Sequence, residues 1–248
     1  MSSTNGLVCF TNCLIPLEDG SLVEKDLWID ERRGIILNAQ QTFFLRKERP
    51  ERVVDLGSNI ISPGFLDIQI NGAYNFDFSV YEGDDEAYLQ GLKDVASKIV
   101  ETGVTSFIPT IIRNPCTRSS YISCARSRPR PPLPVLGWHA EGPFLQMAKR
   151  GAHAPPFLRS AKDGIKTFED VYGTDNLVDA EDWLMGGAAG VRIITAAPEV
   201  EGVLDTVHEL TSRGIVFSIG HSIASTDIAT EAVRRGACLI THLFNAMP

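Results

Sequence analysis

The sequence predicts an α/β protein in which a parallel sheet carries the working residues and a small β module precedes it. Three observations lead there. From Ile60 onward, short apolar stretches recur six times: IISPGFLDIQI, TSFIPTII, PVLGWHAE, GVRIITAA, GIVFSIGH and ACLITHLF. Continuous apolar runs of that length suit parallel strands buried on both faces. Several are followed by segments of helical period, and repeated β-then-α brings the strands' C-terminal ends to one face. Before Ile60 the pattern differs, with runs of β-formers broken at Asp19-Gly20 and Arg33-Gly34. Those are turn signals of an antiparallel sheet module, and no helical period is legible there. The expected division is therefore residues 1–59 and 60–248.

The helices can be justified one by one. DDEAYLQGLKDVASKIVETG offers Asp84 or Asp85 as N-cap, an apolar stripe at Leu89, Leu92, Ala96 and Ile99, and Gly103 just past the end. PEVEGVLDTVHELTSRG and STDIATEAVRRG follow the same rule, closing at Gly214 and Gly236. Two stretches break it. Residues 114–134 carry four arginines, no acid and five prolines where a crossover helix is due. The prolines confine any helix to about Thr117–Ala125, and the segment reads as a divergent surface connection ahead of a basic anion-binding loop. Residues 145–187 form a long insertion after the third strand, placed where a loop at the mouth of the sheet closes over substrate.

The 248 residues are 44% hydrophobic and 22% charged, an ordinary globular balance. A net charge of −8 argues against nucleic acid as a partner, because phosphate-backbone binding needs a concentrated basic face. A small anionic ligand stays compatible, since a few local donors suffice to hold one. The five cysteines are scattered, with no CxxC pair, which fits reduced cytoplasmic thiols. MSSTNGLVCF has neither a basic nor a long apolar region of a signal peptide, and no apolar run approaches the roughly 20 residues needed to span a bilayer. The reading is a soluble, cytoplasmic protein with no membrane partner.

Three predicted strands end on residues that bind metals: Glu141 in GWHAEGPF, His221 in SIGHS and His242 in THLFN. In a parallel barrel these ends converge, and two imidazoles with a carboxylate suit Zn²⁺ or a similar divalent ion with a position open to water. Taken singly, a strand-end histidine more often bonds a neighbouring loop; three at equivalent places tip the balance toward a metal. His139 lies two residues before Glu141 and points the same way, so it is either a further ligand or, as we favour, a hydrogen-bonded support below the site. His208 falls inside a predicted helix as a packed or surface residue. His153, in KRGAH, sits on a loop that reaches a substrate carbonyl if it folds over the mouth.

With these residues in hand, the sequence resembles the N-acetylglucosamine-6-phosphate deacetylases of the amidohydrolase superfamily. The matching segments are PGFLDIQINGA, TSFIPTI, HAEGPF, KRGAH, the APE at 197–199, IGHS and THLFNAMP, spread over residues 60–248. The resemblance implies a TIM-type (β/α)8 barrel, with about six of its eight strands present, joined to the N-terminal part of a small β-sandwich. It implies Glu141, His221 and His242 as ligands of one divalent cation, zinc first and iron, cobalt or manganese as alternatives. Amidohydrolases commonly hold metal with a His-x-His pair on the first barrel strand; here those positions are Gln69 and Asn71, weak ligands that favour one metal over two. His153 aligns with the histidine that polarises the acetamide carbonyl, and Ala152, Asn245 and Ala246 with substrate-contacting positions.

The implied reaction is hydrolysis of N-acetylglucosamine 6-phosphate to glucosamine 6-phosphate and acetate, in an enzyme that is a homodimer at full length. The family's general-base aspartate, on the eighth strand, is expected beyond Pro248, so the chain reads as C-terminally truncated and this fragment as unstable or poorly active. Two other readings stand beside it: a non-catalytic sugar-phosphate-binding remnant, and another amidohydrolase acting on cyclic amides, against which Gln69 and Asn71 count.

Overall fold

A computed structural model describes residues 4–112, 135–177 and 190–245. The polypeptide divides into two compact units, residues 1–63 and 64–248. The helix expected within 117–125, and the proline-rich stretch around it, lie outside the described residues.

The first unit is one sheet of five strands, β1 (Leu7–Pro16), β2 (Leu22–Glu24), β3 (Leu27–Asp30), β4 (Ile35–Leu37) and β5 (Arg52–Ile60). Its turns use the expected chemistry: Asp19 Oδ1 accepts from the Ser21 N–H at 2.9 Å, and Gly20 takes φ +83°. Two expectations need correction. The sheet is mixed rather than antiparallel, because β5 pairs parallel with β1 from Val8↔Arg52 to Leu14↔Ile60. The segment between β4 and β5 makes that possible by carrying the chain back across the unit. Within it lies a helix that the sequence reading missed, α1 (Ala39–Phe44), capped by Asn38 Oδ1 on the Gln41 N–H at 3.0 Å. Six residues are too few for a 3.6-residue period to stand out.

The second unit is built on six parallel strands hydrogen-bonded in chain order. They are β6 (Phe65–Ile70), β9 (Val104–Ile112), β10 (Trp138–Glu141), β11 (Val191–Ala196), β12 (Val216–Ile219) and β13 (Leu239–Ile240). Each coincides with one of the six apolar stretches. A two-stranded ribbon, β7 (Gly72–Ala73) with β8 (Phe76–Asp77), leads into helix α2 (Asp85–Ile99). Asp84 caps α2 by accepting from the N–H groups of Glu86 and Ala87, both at 3.0 Å. Tyr88, Leu92, Val95, Ala96 and Ile99 of α2 pack on Val104, Phe107 and Ile111 of β9.

The larger core lies over β10, β11 and β12. Ala140, Ile194, Ala196, Phe217 and Ile219 face helices α3 (Ile165–Tyr172), α4 (Val203–Ser212) and α5 (Thr226–Arg234). Side chains alternate along a strand, so His139, Glu141, Thr195 and Ser218 project from the opposite face. That face is polar yet buried: His139, Thr195 and Ser218 have no exposed surface. Among the described residues no helix is long and apolar enough to cross a membrane.

Candidate metal centre

Glu141 is the last residue of β10, and His221 and His242 each follow a strand end by two residues. The sheet brings them together although 80 and 101 positions separate the histidines from the glutamate. His221 Nε2 lies 2.7 Å and His242 Nε2 3.1 Å from Glu141 Oε1, and one ligand atom from each of the three falls within 4.8 Å of the others. Both histidines have left-handed backbones, φ +52° and +58°. A non-glycine residue there carries strain of order 1–3 kcal/mol, which the surrounding structure must impose.

For His221 the source of that constraint is visible. Its Nδ1 lies 2.7 Å from the Lys149 carbonyl, and its own carbonyl accepts from the Gln146 N–H at 3.0 Å. Glu199 grips the following turn, its two oxygens accepting from the Ser222 hydroxyl at 2.6 Å and the Ile223 N–H at 2.7 Å. Gly151 passes so close that a Cβ on it would stand 3.4 Å from His221 Cε1, and its φ is +57°. The Lys149 carbonyl fixes the proton on Nδ1 and turns Nε2 toward Glu141, as ligating histidines are usually oriented. A neutral imidazole then has no proton left for Nε2, which nevertheless faces a carboxylate. Either an imidazolium or a cation between nitrogen and oxygen satisfies that geometry.

Electrostatics agrees. Burial works to raise the Glu141 pKa, but the neighbouring imidazoles of His153 and His221 outweigh it and hold the carboxyl well below the usual carboxylate range. For His221, burial lowers the pKa, yet the bonds to Glu141 and the Lys149 carbonyl win and move it upward. His139 behaves differently: burial dominates and pushes it down to about 4, against the pull of Glu141 and the Ile68 carbonyl. It stays neutral beneath the cluster, with Nδ1 3.2 Å from the Ile68 carbonyl and Nε2 2.7 Å from Thr195 Oγ1. That is the supporting role favoured from its place in the strand.

The cluster opens into a cleft of about 550 Å³ lined also by Asn71, Lys149, Ala152, His153 and Asn245, within the range of small-molecule sites. His153 is 5% exposed, its Nε2 4.0 Å from Glu141 Oε1 and without a hydrogen-bond partner among the described residues. The structure thus brings His153, Ala152 and Asn245 to the rim of the cluster; Ala246 lies outside the described residues. Gln69 and Asn71 part company: Asn71 lines the cleft, whereas Gln69 Nε2 is buried without a partner among the described residues. His208 is an exposed residue of α4.

The long insertion splits in two. Residues 148–153 reach the cleft, but α3 is no lid: Phe168 is fully buried, with its ring stacked on Phe144 at 4.1 Å, and Tyr172 donates to the Gly142 carbonyl at 2.8 Å. Sequence reasoning missed Glu199 and the Lys149 carbonyl as supports of His221. The APE motif was the available signal for the first; a backbone carbonyl leaves none.

Comparison with known proteins bears directly on this arrangement. No protein-family model matches the chain. It is 42% identical over 241 residues to N-acetylglucosamine-6-phosphate deacetylase of Danio rerio, covering 96% of this chain and 55% of the relative. Nearly the whole chain is thus similar to about half of an N-acetylglucosamine-6-phosphate deacetylase. It spans about half the length of the curated relatives it matches, 55% of the Danio rerio protein and 54% of the Homo sapiens one. The solved deacetylase of Pasteurella multocida superposes with a TM-score of 0.68 at 25% identity, over 97% of this chain and 57% of that one. The Mycobacterium smegmatis deacetylase, solved in complex with N-acetyl-D-glucosamine-6-phosphate, gives a TM-score of 0.65 at 24% identity, over all of this chain and 57% of that one. The six-stranded parallel sheet is therefore part of the deacetylases' barrel.

Proposed function

We propose that this chain carries the cation-binding and acetamide-facing part of a deacetylase that hydrolyses N-acetylglucosamine 6-phosphate to glucosamine 6-phosphate and acetate. One observation carries the reading: Glu141, His221 and His242 converge at the mouth of a cleft that His153 also faces. A carboxylate and two imidazoles, with the carboxylate held as an anion, are a donor set suited to a single divalent ion. When bound, such an ion supplies Lewis acidity toward an amide carbonyl and makes water more acidic.

The chain's own residues do the remaining work. His153, buried at the rim with no hydrogen-bond partner for Nε2 among the described residues, would donate to the acetamide oxygen. The backbone at Gly151-Ala152 and the amides of Asn71 and Asn245 supply polar contacts for the sugar. Zinc as the first choice of metal, a homodimeric assembly of the full-length protein and a cytoplasmic location belong to the same proposal and rest on the resemblance.

A second reading has a specific observation behind it. Among the described residues lining the cleft, Glu141 is the one carboxylate, and its position in the cation cluster leaves it no freedom to shuttle a proton. On that reading, with no second carboxylate among the described cleft residues, the chain would bind the sugar phosphate without turning it over. Acetate release from N-acetylglucosamine 6-phosphate, measured with the zinc-loaded 248-residue chain and with a chelator, separates the two. Zinc-dependent release supports hydrolysis by this chain. Calorimetric binding without release supports the second reading, and neither binding nor release overturns both.

A further inference from the structure

Below the cation cluster runs a chain of buried hydroxyls. Ser218 Oγ lies 2.7 Å from Thr241 Oγ1, which lies 2.9 Å from Thr195 Oγ1, which lies 2.7 Å from His139 Nε2. All four residues are at most 1% exposed. The chain has one consistent proton order. The Ile68 carbonyl can only accept, so His139 carries its proton on Nδ1 and Nε2 accepts from Thr195. The Thr195 hydroxyl, its proton committed, accepts from Thr241, and Thr241 accepts from Ser218. The series crosses from β10 to the residue after β13, and Gly220 leaves it room, since a Cβ there would stand 2.6 Å from Thr195 Cγ2 and 2.9 Å from Thr241 Cβ.

Its effect falls unequally on the three proposed ligands. Glu141 and His221 are 3% and 5% exposed at the side chain, and His221 is independently fixed by the Lys149 carbonyl. His242 is 38% exposed at the side chain, and its one side-chain hydrogen bond among the described residues is to Glu141. It follows a strand of two residues, paired to β12 through Ser218↔Leu239 and Ile219↔Ile240. Past that strand the backbone holds through the Thr241 N–H, which donates to the Ile219 carbonyl at 2.9 Å, and the Thr241 side chain adds the tie to the buried hydroxyls.

We propose that Thr241 is the positioning residue for His242: its hydroxyl, held between Thr195 and Ser218, sets the strand end that aims the imidazole at Glu141. The inference rests on the cation site proposed above. Thr241→Val keeps the shape and removes the hydroxyl; loss of a group bonded directly to a ligand typically weakens metal binding 10–100-fold, and Thr241, one step further out, is expected at the low end of that range.

The test measures Zn²⁺ affinity by competition with a chromogenic chelator in the 248-residue chain. Thr241→Val is expected to weaken binding about 10-fold, Thr241→Ser to stay within about threefold of the parent, and the distant buried hydroxyl variant Thr206→Val to have no effect. In a His242→Ala background Thr241→Val adds less than about threefold, because nothing is left to aim. The metal-free protein gives a second readout: the 15N-imidazole signal of His242 bonded to Glu141 disappears in Thr241→Val and returns in Thr241→Ser. A parent chain that binds no Zn²⁺ overturns the cation site while the imidazole signal still judges the positioning. Unchanged affinity and an unchanged signal in Thr241→Val, or an equal loss in Thr206→Val, overturn the positioning role.

Discussion

Acidification from pH 7 to pH 4 strips stability from the protein through His139, because burial lowers its pKa. In the unfolded chain this imidazole takes a proton as the pH falls through about 6.5. In the folded protein it is fully buried and bonded as the neutral form, and burial holds its pKa at about 4. Between those values the unfolded state binds more protons than the folded one, so stability falls as the pH drops and the full loss is reached near pH 4. A gap of about two and a half pH units, at about 1.4 kcal/mol each, amounts to about 3 kcal/mol, a large share of the ~5–15 kcal/mol that stabilises a typical domain. The assay is urea unfolding at pH 7, 6, 5 and 4 with a chelator present, comparing the protein with His139→Gln. Titrating groups remote from His139 contribute equally to both, so their stability difference reports His139 together with its coupling to Glu141 and His242. It is expected to shrink by about 3 kcal/mol from pH 7 to pH 4. A difference that stays constant across that range refutes the claim that His139 is buried in the neutral form.

Other outcomes follow from the same geometry. Glu141→Gln removes the one anion of the cluster and is expected to abolish Zn²⁺ binding by calorimetry, whereas His153→Asn leaves binding within a few-fold. In any chain that releases acetate, that same His153→Asn change lowers turnover by about 10²-fold or more, the usual weight of a lost carbonyl donor. Because the bonds of His221 raise its pKa, protons compete for its Nε2 already above pH 6.5, and Zn²⁺ affinity measured at pH 8 and pH 6 drops toward the lower value. Phe168→Ala opens a cavity beside Phe144 and costs about 3–5 kcal/mol in denaturant unfolding. An α3 that acted as a lid would instead leave stability untouched and alter substrate affinity.

Part of this protein is written locally, and that part was legible. Strand and helix periods, the cap at Asp84 and the left-handed Gly103 act within a few residues, so the six strands and α2 stand in the sequence where the structure has them. The three residues of the cluster could be named because each stands at, or two residues past, the C-terminal end of a strand in a repeating unit. Where the local signal is weak or shared, the reading failed: the six residues of α1 carry too little period, and α3 looked like a rim loop because its burial depends on Phe144.

The sequence by itself determined which elements form and which side chains stand at the strand ends. Tertiary structure alone decided that Glu141 is shared by two imidazoles, that the Lys149 carbonyl 72 residues away orients His221, and that four buried polar side chains form one ordered series beneath them. The reason is distance along the chain. A hydrogen bond is specific at about 3 Å in space, and no short-range pattern records which residues, tens of positions apart, the sheet will bring that close.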